Sequence, residues 1–299
     1  MFNKLIIKLK MKLLKITFSA FFLFCFGFAN AQDDLMNELD ATKSDHKEIS
    51  AAAFKGLQVA NMQSTKLPAK GEFYFLVSHR FGDITDGYNN FYGLDAATTK
   101  FGGIYGVTNW LSLGASRVKN NKTFEFAAKY KFANQLDGGF PVTIVGYNTM
   151  DIRTDLKTDL YPDLKANDRY SYTSQLIISR KFNNSISFQV NSILVHKNLY
   201  DELTEQKNTF LIGSGARCKI SKRLSINLDY AARLNLPEDY DNVYHNPITL
   251  GMDIETGGHV FQLVLSNSQT MNDVAYYTSA SGIKQGKGIF FGFNMYRVF

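Results

Sequence analysis

The stretch KTFEFAAKYKF at residues 122–132 weaves two sequences together. Phe124, Phe126, Ala128, Tyr130 and Phe132 share one parity, and Glu125, Lys129 and Lys131 share the other with Ala127. Period two is the pattern of a β-strand with two unlike faces. A soluble sandwich would bury the aromatic face and wet the charged one. A membrane barrel would turn the aromatic face to lipid and the charges to its lumen. One strand leaves both open, so the rest of the chain has to decide.

From Lys70 onward the sequence predicts twelve strands, at 71–82, 97–107, 109–118, 121–132, 140–152, 168–182, 184–196, 207–220, 222–235, 246–256, 258–268 and 287–299. Most are ~10–13 residues long, against ~5–6 for a usual globular strand and ~9–11 for an oblique bilayer crossing. Alternation is clean in several. In RLSINLDYAARL, Leu224, Ile226, Leu228, Tyr230, Ala232 and Leu234 oppose Ser225, Asn227, Asp229 and Arg233. Residues 140–152 read ambiguously, and 71–82 is apolar on both parities for part of its length.

The connections sort by side. Long polar and aromatic ones fall at 83–96, 153–167, 197–206, 236–245 and 269–286, alternating with short ones at Thr108, Asn183, Ser221 and Gly257. Two depart mildly: 119–120 is short on the long side, and ANQLDGGF near 133–140 is longish on the short side. Outer-membrane barrels have short periplasmic turns and longer external loops, whereas a sandwich has no reason to sort them. The expected fold is therefore all-β: a closed antiparallel transmembrane barrel of about twelve strands with both termini periplasmic. Closure satisfies every backbone group within hydrocarbon. Phe124, Phe126, Tyr130 and Phe132 then face lipid, and Tyr105, Tyr147 and Tyr170 suit interfacial girdles.

The ends agree. Lys4, Lys8, Lys10, Lys12 and Lys15 precede an apolar run from Ile16 to Phe28 and then Ala29-Asn30-Ala31, the n-region, h-region and cleavage site of a secretory signal. Residues 1–31 read as that signal, with Met11 an alternative start; 32–70 as a polar N-terminal periplasmic segment; 71–299 as the barrel. The final strand ends on Phe299, with Phe291, Phe293 and Met295 on its parity. That strand resembles the terminal signal read by the barrel assembly machinery, except at Arg297, whose long side chain can snorkel at the interface. Of 33 Lys and Arg, five lie in the signal, leaving 28 against 27 Asp and Glu, about +1. The basicity belongs to export and offers nothing to nucleic acid. With Cys25 in the signal, Cys218 stands alone, so the mature chain is not a disulfide scaffold.

Little in the sequence points to chemistry. Ser78 and His79 are adjacent in a strand and point to opposite faces. The histidines His46, His79, His196, His245 and His259 show no metal-ligand spacing, and no phosphate-binding glycine loop is present. The chain is read as a non-enzyme with no catalytic residue, no metal and no cofactor. Parity instead places a charged set on the lumen side: Arg80, Lys100, Glu125, Lys129, Lys131, Lys181, Arg217, Lys219, Asp229, Arg233, Asp253 and Glu255, with Gln175, Gln189 and Asn191 beside them. Eight of the twelve are cationic, which favours anionic solutes if the lumen conducts. Mutual ion pairing across a narrow interior would close it instead.

The stretches LPAKGEFYFLVSHRFG (67–82), NFYGLDAATTKFGGIYGVTNWLSLGASR (90–117), KYKFANQ (129–135), HNPITLGMDIETGGHVFQLVLSNS (245–268) and the terminal GFNMYRVF resemble an uncharacterised family of Gram-negative outer-membrane β-barrels, a domain of unknown function. The resemblance covers about residues 50–299. It implies a barrel and supplies no activity or functional residue. The expectation is a monomer in the cell outer membrane, in contact with its lipid, that passes or binds small, anionic solutes. The alternative is a non-conducting scaffold for a periplasmic protein partner, and the least favoured a lipid-modifying enzyme.

Overall fold

The computed structural model describes residues 52–235, 243–256, 259–282 and 287–299. The expected signal and the first part of the N-terminal segment, residues 1–51, lie outside them, as do the acidic loop piece at 237–242 and the turn glycines at 257–258.

The described residues form a closed antiparallel ring of twelve strands: β1 Phe73–Asp83, β2 Thr98–Gly106, β3 Leu111–Val118, β4 Thr123–Ala133, β5 Thr143–Arg153, β6 Tyr170–Lys181, β7 Ile186–Lys197, β8 Asn208–Lys219, β9 Leu224–Arg233, β10 Ile248–Thr256, β11 His259–Ser266 and β12 Phe290–Val298. Each pairs with its neighbours in sequence, and β1 closes on β12 from Tyr74↔Val298 to Asp83↔Phe290. Backbone bonds between Phe73 and Phe299, at 3.2 and 2.9 Å, extend that seam to the last residue. The seam leaves no open edge for lipid to meet.

The long connections, which follow β1, β5, β7, β9 and β11, leave from one end of the ring, and the short ones, which follow β2, β6, β8 and β10, from the other, where Phe299 lies. The long end is the external one. Burial alternates along the strands as the parity of the sequence predicts. In β4, Phe124, Phe126 and Phe132 are exposed and Tyr130 half-buried on the outer face, while Glu125 and Lys129 are buried. Exposed aromatics at the periplasmic rim, Trp110, Phe132, Phe140, Phe182 and Phe299, form the interfacial girdle expected of such barrels. Tyr105 is exposed as a girdle residue should be, but Tyr147 is not one: it points inward and is 5 % exposed. The reason lies in what fills the barrel.

Two segments occupy the interior. Residues 53–67 run inside the ring before β1, and Phe54, Leu57, Val59, Ala60, Met62 and Leu67 are all buried there. From the external end, the β11–β12 connection folds inward and forms one short helix, α1 (Asp273–Thr278), all six of whose residues are buried. The inserts meet: Met62 of the first packs with Val274, Tyr276 and Tyr277 of the second against Ile193, Val195, Leu211 and Ala231 of the wall. Leu57 packs on Tyr74, Leu76 and Tyr296, and Leu67 on Val145, Tyr147 and Ile177. Tyr147 is therefore held inward by the first insert.

Candidate functional site

The charged wall and the inserts form one hydrogen-bonded unit. Asp229 on β9 is fully buried. Its Oδ2 accepts the backbone N–H groups of Ala60, Asn61 and Met62 at 3.1, 2.8 and 3.0 Å. Its Oδ1 accepts the Tyr276 hydroxyl at 2.6 Å. A single carboxylate thus holds both inserts, and three convergent N–H groups supply what water would otherwise give the buried charge.

Two buried cations are treated in the converse way. Lys129 Nζ donates to the backbone carbonyls of Leu57, Ser64 and Lys66 at 3.0, 3.1 and 3.4 Å. The Arg80 guanidinium, 0 % exposed, donates to the Asn61 and Asn294 side-chain carbonyls at 2.6 and 3.0 Å and to the His79 and Phe293 backbone carbonyls at 2.9 and 3.1 Å. Among the described residues neither cation has a carboxylate within ion-pair distance. Carbonyl oxygens stand where an anion or water would stand, because a buried charge without such partners is costly.

The other predicted residues fall on the same inward face. Asp253 accepts Gln262 Nε2 at 2.7 Å, and the same amide donates to Val59 O of the first insert at 3.0 Å. Arg233 Nε donates to Tyr277 O at 2.7 Å. Lys100 pairs with Glu125 at 2.6 Å, both side chains 4 % exposed, and donates to Met271 O at 3.1 Å. Toward the periplasmic end Arg217 pairs with Glu255 at 2.9 Å, and Lys131, Lys181 and Lys219 are half-buried. The interior is thus closed chiefly by inserted backbone, with ion pairing across the wall in a lesser part. A cavity of about 40 Å³ remains beside the first insert, lined by Lys100, Glu125, Lys129, Tyr147 and Tyr296. That is room for a few waters at most.

Sequence reasoning missed several inward groups. Asp151 on β5 accepts Asn272 Nδ2 at 2.6 Å, but β5 lacks the clean alternation that would have placed it. Asn294 donates to Ala60 O at 2.8 Å, and Tyr276 and Tyr277 come from a stretch read as an external loop. Ser78 points inward and His79 outward, where His79 stacks on Phe293 with ring centroids 5.6 Å apart. The side-by-side serine and histidine do not meet.

Among solved structures the chain is similar to the NanC porin (9 % identity, 75 % of this chain and 98 % of that one, TM-score 0.47) and to the KdgM porin (8 %, 76 % and 99 %, 0.45). It is also similar to an outer membrane channel from Pseudomonas putida F1 (12 %, 78 % and 97 %, 0.43). No curated protein sequence matches it. The family match spans residues 54–299, so it takes in the first insert together with the wall. This chain belongs to the membrane bound beta barrel domain family (DUF5777).

Proposed function

We propose that this outer-membrane barrel is a passive channel for small anionic solutes, closed at rest by its two inserts. The observation that carries the reading is the solvation of Lys129 by three carbonyls of the first insert. When that segment withdraws, Lys129 loses all three carbonyl acceptors and Arg80 loses Asn61, and both face a widened, wet lumen. Lys131, Lys181 and Lys219 already stand at its periplasmic mouth, and a lumen rich in cations favours anions. Among the described residues the first insert runs into the wall at β1 and adds no strand to the ring, so its withdrawal breaks no strand ladder. Catalysis has no part in this reading.

The test is single-channel recording of the mature chain, residues 32–299, in a planar bilayer across a salt gradient. Long closed periods are expected, broken by openings whose reversal potential favours anions. Replacing Lys131, Lys181 and Lys219 with Gln should lower that preference, and an unaltered reversal potential would defeat the assignment. The largely filled interior also supports a second reading, a non-conducting anchor for a periplasmic partner held through residues 32–51. A silent, correctly folded barrel that retains a partner only when those residues are present would favour it.

A further inference from the structure

The junction between the second insert and the wall gathers three carboxylates. Glu125 is on β4, Asp151 on β5 and Asp273 at the start of α1, and they are 4, 1 and 3 % exposed. Glu125 accepts Lys100 Nζ at 2.6 Å and the Asp273 backbone N–H at 3.3 Å. Asp151 accepts the amide of Asn272, the residue before Asp273, at 2.6 Å. The Asp273 carboxyl accepts Gln63 Nε2 of the first insert at 3.4 Å and faces Tyr147.

The charges do not balance. Lys100 is the cation in ion-pair contact with the group among the described residues. Lys129 also faces Asp273, but its ammonium is bound to the carbonyls of the first insert. The other titratable neighbours, Tyr147, Tyr277 and Tyr296, are phenols that stay neutral near pH 7. Two of the three carboxylates are fixed to the wall and the third rides on the insert. Like charges in a water-poor site repel strongly, and here the repulsion acts between the Asp273 carboxylate on the insert and Glu125 on its seat.

We propose that Asp273 is a proton-binding latch: protonated, it lets the second insert lie against Glu125 and Asp151, and on losing its proton it drives that insert out of the barrel toward the external side. Burial, with the Glu125 carboxylate beside it, pushes the Asp273 carboxyl up to about 7. In the withdrawn loop it returns to the ordinary carboxylate range near 4. The seated form therefore holds the proton more tightly. Its advantage is complete below the withdrawn-loop value, falls as pH rises from there toward about 7, and changes no further above that. The latch operates whether or not the barrel conducts.

The test uses thiol access, which needs no current. In a Cys218→Ser chain reconstituted in liposomes with its external end outward, Ala275→Cys on α1 reports withdrawal through reaction with a membrane-impermeant maleimide. Rates are normalised at each pH to Leu203→Cys on an exposed external loop, which removes the reagent's own pH dependence. The normalised rate is expected to climb up to about tenfold per pH unit between pH 5 and 7 and then level off. Asp273→Asn should hold it low throughout. Should that variant fail to give a heat-modifiable barrel, Glu125→Gln serves: it removes the repelling charge, so the climb should be smaller and level off at lower pH. A flat profile for the parent chain overturns the latch, as does a parent-like profile in whichever of the two variants folds.

Discussion

Asp229 shows how much one side chain can hold inside a barrel of this kind. It accepts three successive N–H groups from the first insert and the Tyr276 hydroxyl from the second, and each buried donor left without an acceptor costs ~1–3 kcal/mol. Asp229→Ala should accordingly loosen the first insert by roughly 3 kcal/mol or more, with the strand ladders kept. Limited trypsin digestion of the folded barrel measures this through cleavage after Lys66, expected at least tenfold faster than in the parent; equal rates would remove Asp229 from the role. The inward placement of Asp229 was legible from the parity of RLSINLDYAARL, but its partners were not. They lie 167–169 residues earlier in sequence, on a stretch whose own pattern names no strand and no helix. Arg297 is the opposite case, a departure from the terminal pattern that the structure accounts for. Its guanidinium lies 4.6 Å from the centre of the Phe299 ring, an outward cation–π pair at the periplasmic rim.

The strands were legible where their inward face is polar and blurred where it is not. Residues 71–82 and 140–152 read as strands without a clean two-faced pattern because Tyr74 and Leu76 pack on Leu57, and Val145 and Tyr147 on Leu67. An apolar insert makes the lumen side of those strands apolar, and the two-faced pattern disappears. A subtler signal was present in the inward glycines. A methyl group on Gly251 of β10 would stand 2.9 Å from the Ala60 Cβ, and one on Gly213 of β8 would stand 2.5 Å from the end of Met62. A wall facing only water has no need of such gaps, so glycine at inward positions mid-strand marks a close neighbour. Met62 can swing aside, but Ala60 has no side chain to move. Gly251→Val should thus expel the first insert while leaving β10 a better strand former. The expected signature is a barrel that keeps its compact, heat-modifiable form in detergent yet is cut rapidly after Lys55 and Lys66. A variant as resistant to trypsin as the parent would mean that the wall gives way before the insert does.

At the scale of the molecule, wall and inserts are held by different forces and should come apart separately. The wall is a closed ladder running from β1 round to β12, and opening it within hydrocarbon exposes N–H and C=O groups that find no water there. The first insert is held by side-chain bonds to its backbone and by small apolar clusters. Release of that segment lets water into the lumen, which solvates the groups left behind and lowers the cost of opening. Heating residues 32–299 as the folded barrel in detergent should therefore give two events in order. Trypsin susceptibility after Lys66 should rise first, and the shift from the compact to the unfolded electrophoretic form should follow at a clearly higher temperature. Asp229→Ala should lower the first event and barely move the second, because its bonds to Ala60, Asn61, Met62 and Tyr276 contribute nothing to the ladder. Coincident transitions, moved together by that substitution, would mean that insert and wall form a single cooperative unit. Withdrawal without unfolding would then be too costly to open a channel.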